Sequence, residues 1–203
     1  MNDVLVLDTE EKKISYKQEE IQYEPYELVL ENDRILKRPT VPFDFYSGIS
    51  AHEISERMKA TIKKYNGLGL AAPQCGLTCS VFVMGYGGNY STIFNPVILW
   101  ESKEMVHMEE GCLSYFGLLL NISRPKAIRV SFQDELGNNH IEQLEDLSAR
   151  IFLHETDHIR GVTFDMVAKP LALKSGLKKR DKLFKKYVRN VVQQQYFKNI
   201  NIK

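Results

Sequence analysis

Cysteine is scarce in this chain of 203 residues: Cys75, Cys79 and Cys112 are an odd and small number that cannot make a disulfide framework. That excludes a stapled secreted scaffold and points to a reducing compartment, where a thiol is free to act as ligand or nucleophile. Long apolar runs are also missing. Stretches such as Val81 to Met84 and Gly117 to Leu120 fall far short of the roughly 20 residues that span a bilayer, so no membrane role is expected. The opening Met1-Asn2-Asp3-Val4 has neither a basic n-region nor an Arg-rich, acid-poor transit pattern, and a cytoplasmic location is the expectation. Net charge is nearly absent, with 27 Lys and Arg against 26 Asp and Glu. No direct role on DNA is expected.

What is present is an ordinary globular composition, 43% hydrophobic. A chain of this length buries roughly 70% of its unfolded surface, so the fold needs no metal merely to hold together. Any metal site is therefore there for chemistry. The charge that cancels overall is unevenly placed. Residues 1 to 33 carry ten acids and three lysines, a balance of −7, while residues 169 to 189 carry nine basic residues against Asp181, a balance of +8. Ends of opposite sign attract each other.

Ser50-Ala51-His52-Glu53 reads as a capping box. Ala51, Ile54, Met58, Ile62 and Tyr65 follow at helical spacing until Asn66-Gly67 stops the helix. Short β-rich pieces come next, at Ser80 to Met84, Thr92 to Trp100, around Met105 to Met108, and Ala127 to Phe132. The run from Asp134 to Asn139 is a hairpin turn into His140 to Leu144. A second helix is expected from about Asp146 to Ile159, closed by Gly161. A long basic amphipathic helix, with Leu177, Phe184, Val188 and Val191 on one stripe, is expected over much of 175 to 195. Helices and strands are segregated rather than alternating, which predicts an α+β fold.

The strongest chemical signal is His154-Glu155-Thr156-Asp157-His158. Histidines four apart share one helix face, and Leu147 and Ile151 continue that stripe, so both imidazoles are expected to point inward where a metal can be held. With this chain's own His and Glu content, H-E-x-x-H arises by chance in about one chain in a hundred, so coincidence is disfavoured. A catalytic divalent ion usually takes three protein ligands and keeps a position open. No histidine follows His158, and Asp165 and Asp181 are the later acids, so the search for a third ligand turns upstream. There Cys112, beside Gly111 and Ser114, offers a thiol that a metal would make a thiolate, although a lone cysteine is more often an inert buried thiol. The run Gly67-Leu68-Gly69-Leu70-Ala71-Ala72-Pro73-Gln74 lacks the Lys and Ser or Thr of a phosphate loop. Its small residues let backbone approach a ligand, and Gln74 is an amide donor able to polarise a carbonyl; a tight turn entering a strand is the plainer reading. Cys75 and Cys79 read as free thiols outside the mechanism.

Together the runs 67–74, Glu110-Gly111-Cys112-Leu113-Ser114 and 154–158 resemble, in order and spacing, the three motifs of the peptide deformylase family. The likeness extends through Asn95-Pro96, Arg124-Pro125, Gly161 and Phe164, over about residues 33 to 167. It implies a short, mostly antiparallel sheet structure packed around a central metal-binding helix, with a C-terminal helix. It also implies an enzyme that removes the formyl group from the formyl-methionine of new polypeptides and releases formate. By position, Cys112, His154 and His158 would be the metal ligands and Glu155 the general acid and base. Gln74 and the Leu113 N–H would hold the formyl oxygen, and the backbones of Leu68, Gly69 and Gly111 would hold the peptide in extended form. The implied metal is one divalent ion, Fe(II) in the cell, with Zn, Ni or Co accepted. The chain then divides into an acidic N-terminal extension (1–32), a catalytic domain (33–170) and a basic C-terminal helix and tail (171–203). For the basic run, a solvated face is the plain reading and a ribosome contact the functional one.

This chain departs from the family in having Tyr115-Phe116-Gly117 where Val-Pro is usual, and Leu153 where many members have Gln. A peptidase built on H-E-x-x-H is the rival enzyme. A binding module is the non-enzymatic alternative, but it would be expected to have lost Cys112, Glu155 or a histidine.

Overall fold

The computed structural model describes residues 22–200, with side chains described to residue 191; residues 1–21, most of the acidic extension, and 201–203 lie outside the described residues. Helix α1, Ala51–Tyr65, begins where Ser50 accepts the Glu53 N–H through its side chain. It ends where Asn66 turns into the left-handed region at φ 52°. Its inward face, Ile54, Met58 and Ile62, enters a core with Leu70, Val83 and Phe94.

Five antiparallel strands form the main sheet in the order β1-β2-β3-β6-β7: Gly69–Ala71, Val81–Tyr86, Asn89–Glu101, Ala127–Gln133 and Asn139–Glu145. The expected hairpin into the last strand is present. Asp134 Oδ1 accepts the N–H groups of Leu136 and Asn138, and Gly137 takes the positive φ of 82° that the turn requires. A second sheet pairs β4, Met105–Gly111, with β5, Leu119–Pro125. Two of these strands, β1 and β5, go beyond the sequence reading, which had the first as a ligand-approaching run or turn and gave the second no structure.

Helix α2, Asp146–Ile159, lies between the two sheets. Ala149, Phe152 and Leu153 pack on Phe82, Ile128 and Val130 of the large sheet. Phe82 and Phe152 meet edge to face at 5.0 Å between ring centroids. Phe82→Ala should therefore destabilise the fold by about 3–5 kcal/mol, read from urea denaturation, because the void opens where helix meets sheet. A short helix α3, Phe164–Val167, buries Phe164 against Tyr115. The architecture is α+β.

Helix α4 is Pro170–Ile200, starting five residues earlier than its apolar spacing suggested, with proline suited to a first helical turn. Gly176 allows it close to β5, since a Cβ there would lie 2.8 Å from the Leu119 carbonyl oxygen. The amphipathic expectation needs correction: Leu177, Phe184 and Val188 remain 40%, 43% and 56% exposed, so the stripe is not a core face. Arg180 Nη1 meets Glu31 Oε2 at 2.6 Å, an ion pair between the two oppositely charged ends.

Candidate metal centre and active site

Helix α2 delivers His154 and Glu155 to the wall of a cleft of about 860 Å³, with His158 one turn further along the helix. Four residues carry a helix once around and a little further, so the two imidazoles stand on one face, with ring centroids 5.2 Å apart. The chain leaving β4 brings Cys112 to them. Its Sγ lies 3.3 Å from His158 Nε2, and the three candidate donor atoms of Cys112, His154 and His158 all lie within 4.8 Å of one another. Asp165 and Asp181 take no part in this cluster.

The outer partner of His154 fixes which nitrogen faces the cluster. Glu110 Oε2 is 2.9 Å from Nδ1, leaving Nε2 for a metal. Glu110 is itself held by Arg124, through Nε at 2.6 Å and Nη2 at 3.0 Å, and by Arg150 Nη1 at 2.9 Å. Arg124 reaches on to Asp157 at 2.6 Å, and Arg150 donates to the carbonyls of Ile122 and Val106. Burial alone would raise the Glu110 carboxyl; its hydrogen bonds with His154 and Arg124 outweigh burial and hold it down at about 2. Glu110 and Arg124 were legible only as parts of the motif and its flank. The supporting roles of Arg150 and Asp157 carried no local signal at all.

The electrostatics fit a cation. Burial pushes the His154 ring towards its neutral form, but the Cys112 sulfur and the Glu110 carboxylate outweigh that and raise it to about 10. The same anionic surroundings that favour a proton there favour a divalent ion. His158 is pushed the other way, by burial first and then by His154 and Arg124, and is held neutral as a metal ligand must be. Two soft or borderline nitrogen donors and one sulfur suit Fe(II), Zn, Ni or Co rather than Mg or Ca.

Glu155, the next residue along α2 after His154, lines the same cleft. It is only 3% exposed, its Oε2 has no hydrogen-bond partner among the described residues, and burial, partly opposed by His154, pushes its carboxyl up to about 7. Gln74, buried in the turn after β1, is oriented by accepting the Ala71 N–H on Oε1 at 2.8 Å. Its Nε2 then donates towards Cys112 Sγ and Ser114 Oγ, both at 3.3 Å. Leu68, Gly69, Gly111 and Leu113 line the cleft with Cys112, Gln74, His154 and Glu155, so the structure brings every sequence-selected site residue to one place, with His158 just behind the wall. Leu147, Ile151, Phe116 and Leu119 give the cleft an apolar side. Cys75 is buried in the core, and its thiol is pushed up to about 12 by burial, which suits an inert packing role.

An α+β frame that sets a Cys-His-His donor group beside a buried, high-pKa glutamate and an amide donor has the makings of a metal-dependent hydrolase. Comparison with known proteins narrows this. The polypeptide deformylase family model matches residues 25–173. A peptide deformylase of Synechocystis sp. is 34% identical over 172 residues, 82% of this chain and 91% of that protein. Among solved structures, the peptide deformylase from Thermotoga maritima superposes with a TM-score of 0.69 at 35% identity, covering 72% of this chain and 99% of that one. One from Synechococcus elongatus, in complex with actinonin, gives 0.71 at 32% identity, covering 77% and 86%. The chain belongs to the polypeptide deformylase family. Its match begins at residue 25, where Tyr26 and Val29 donate backbone N–H groups to Thr61 Oγ1 and the Gln74 carbonyl.

Proposed function

We propose that this protein hydrolyses the N-formyl group of formyl-methionyl peptides, releasing formate and a free amino terminus, with Cys112, His154 and His158 holding one divalent ion. The observation that carries the reading is the convergence of those three donors, within 4.8 Å of one another, beside the buried Glu155. Fe(II) is the metal we assign in the cell, one of the ions that a mixed thiolate and imidazole set accepts. A bound divalent ion supplies Lewis acidity and lowers the pKa of water from near 16 to about 7–9.

The residues divide the remaining work. Glu155, with a carboxyl near neutrality, takes a proton from the attacking water and delivers it to the amine as the C–N bond breaks. Gln74 Nε2 and the Leu113 N–H stabilise the oxygen that gains negative charge at the formyl carbon. Among the described residues β1 is the edge of its sheet, so an extended peptide can lie along Leu68 and Gly69 as an added strand, with Gly111 on the facing wall. The apolar side of the cleft takes the methionine side chain.

Incubation with formyl-Met-Ala-Ser should yield formate and Met-Ala-Ser in equal amounts. Gln74→Ala should lower that rate by about 100- to 1000-fold with metal content unchanged. No formate from folded, metal-loaded protein would overturn the reading.

The partner we assign to α4 is the ribosome. Lys174, Lys178, Lys179, Lys182, Lys185, Lys186 and Arg189 are all exposed along it, and phosphate-rich RNA attracts such a row. Cosedimentation with ribosomes should then weaken steeply with salt; salt-independent binding, or none, would remove that partner. No helix among the described residues is long and apolar enough to cross a membrane, and the cytoplasm is the location we assign.

A further inference from the structure

Gly69 has no need of glycine's backbone freedom. It lies within strand β1 and is absent from the glycines with positive φ, so its backbone is one that any residue adopts. What glycine provides there is space. A Cβ built on Gly69 would lie 2.7 Å from Cδ and 2.9 Å from Cγ of Glu155, and closer still to Oε1. No real Cβ approaches other atoms so closely, so an added methyl would have to displace Glu155 or the strand.

Glu155 is poorly anchored by anything else. Its Oε2 has no hydrogen-bond partner among the described residues, and the residue is buried at the wall of the cleft. A carboxylate without donors to pin it takes up the position that packing leaves open. Here the floor of that position is the bare Cα of Gly69, packed directly against the Glu155 side chain of helix α2.

We infer that Gly69 is a positioning residue for Glu155: the missing side chain on β1 admits the carboxylate to the point from which it reaches the water and the leaving amine. This rests on the deformylase reading, and it assigns Gly69 a role separate from its backbone contacts with the peptide. Alanine keeps both the N–H and the carbonyl, so a role confined to those contacts would survive the substitution. A displaced Glu155 would not. The far end of a side chain moves more readily than backbone, so the loss should fall on turnover and much less on folding.

The test is a double-mutant cycle of Gly69→Ala with Glu155→Ala, the latter removing all three close atoms. The readouts are kcat, KM, thermal midpoint, metal content and binding of Met-Ala-Ser. Gly69→Ala alone should lower kcat by about 100-fold, the usual effect of misplacing a catalytic group by about 1 Å. KM, metal content and affinity for Met-Ala-Ser should stay within about twofold. In the Glu155→Ala background the same substitution should change the residual rate less than about threefold, and any fall in thermal midpoint caused by Gly69→Ala should disappear. Equal losses in both backgrounds, or an undiminished kcat in Gly69→Ala, would overturn the inference. So would a drop in midpoint that Glu155→Ala does not relieve. If the unmodified protein releases no formate, the deformylase reading fails, while the midpoints still decide whether Gly69 and Glu155 are sterically coupled.

Discussion

Glu155→Gln should lower kcat for formate release by about 100- to 10,000-fold, the range that general acid and base catalysis supplies. Gln has nearly the same shape as Glu, so the cleft and the Cys112, His154 and His158 donors should be undisturbed. The carboxyl it replaces is buried, held at about 7 by desolvation, and has one oxygen without a partner. Burying such a group opposes folding, so the variant should melt at the same temperature or higher. Metal content measured beside activity separates the two effects. An inactive, fully loaded and stable variant supports the role given to Glu155; an active one removes it.

The second large effect is on stability and metal affinity together. Glu110→Ala leaves Arg124 and Arg150 without their common partner at side-chain exposures of 6% and 5%. Removing one member of a buried ion pair costs about 3–5 kcal/mol, chiefly through the uncompensated charge that stays behind, here on Arg150, since Arg124 keeps Asp157. The same change takes away the acceptor of His154 Nδ1. Loss of such an outer partner weakens metal binding by about 10- to 100-fold. Chemical denaturation and competition with a chelator measure the two terms independently. Loss of metal with full stability would show that the arginines are satisfied by other groups; loss of stability with unchanged affinity would show that His154 needs no orienting partner.

The contrast between Glu155 and Glu110 shows what sequence reasoning reaches. Helix α2 was legible because its information is local: apolar residues at helical spacing, two histidines four apart, and a glycine closing the end. Helix α1 was legible for the same reason, down to the Ser50 cap and the Asn66 stop. β5 was not. Its buried positions are Leu120, Ile122 and Arg124, and a buried arginine breaks the alternation by which a half-buried strand is recognised. That arginine makes sense only beside Glu110, fourteen residues earlier on the paired strand, and beside Asp157 on the helix. α4 misled in the opposite direction. Leu177, Phe184 and Val188 have helical spacing yet stay about half exposed, with Phe184 against Phe116, because periodicity reports a stripe and says nothing of how far another element covers it. The three candidate donors could be grouped as a set only through the likeness of all three motifs, since Cys112 alone resembles any buried thiol. Gly69 was picked for what its backbone does, whereas its fit against Glu155 is a three-dimensional fact that spacing along the chain does not carry.

The central claim is that one divalent ion, held by Cys112, His154 and His158, carries deformylation. Its most direct test is reconstitution: strip the protein with a chelator under anaerobic conditions, add Fe(II) or Ni(II) in measured steps, and follow formate release from formyl-Met-Ala-Ser. The expected result is no turnover in the stripped protein and a linear rise that breaks at one equivalent. In Cys112→Ala or His158→Ala that rise should be lost. Full activity without metal, or a rise unaffected by removing those donors, would contradict the account.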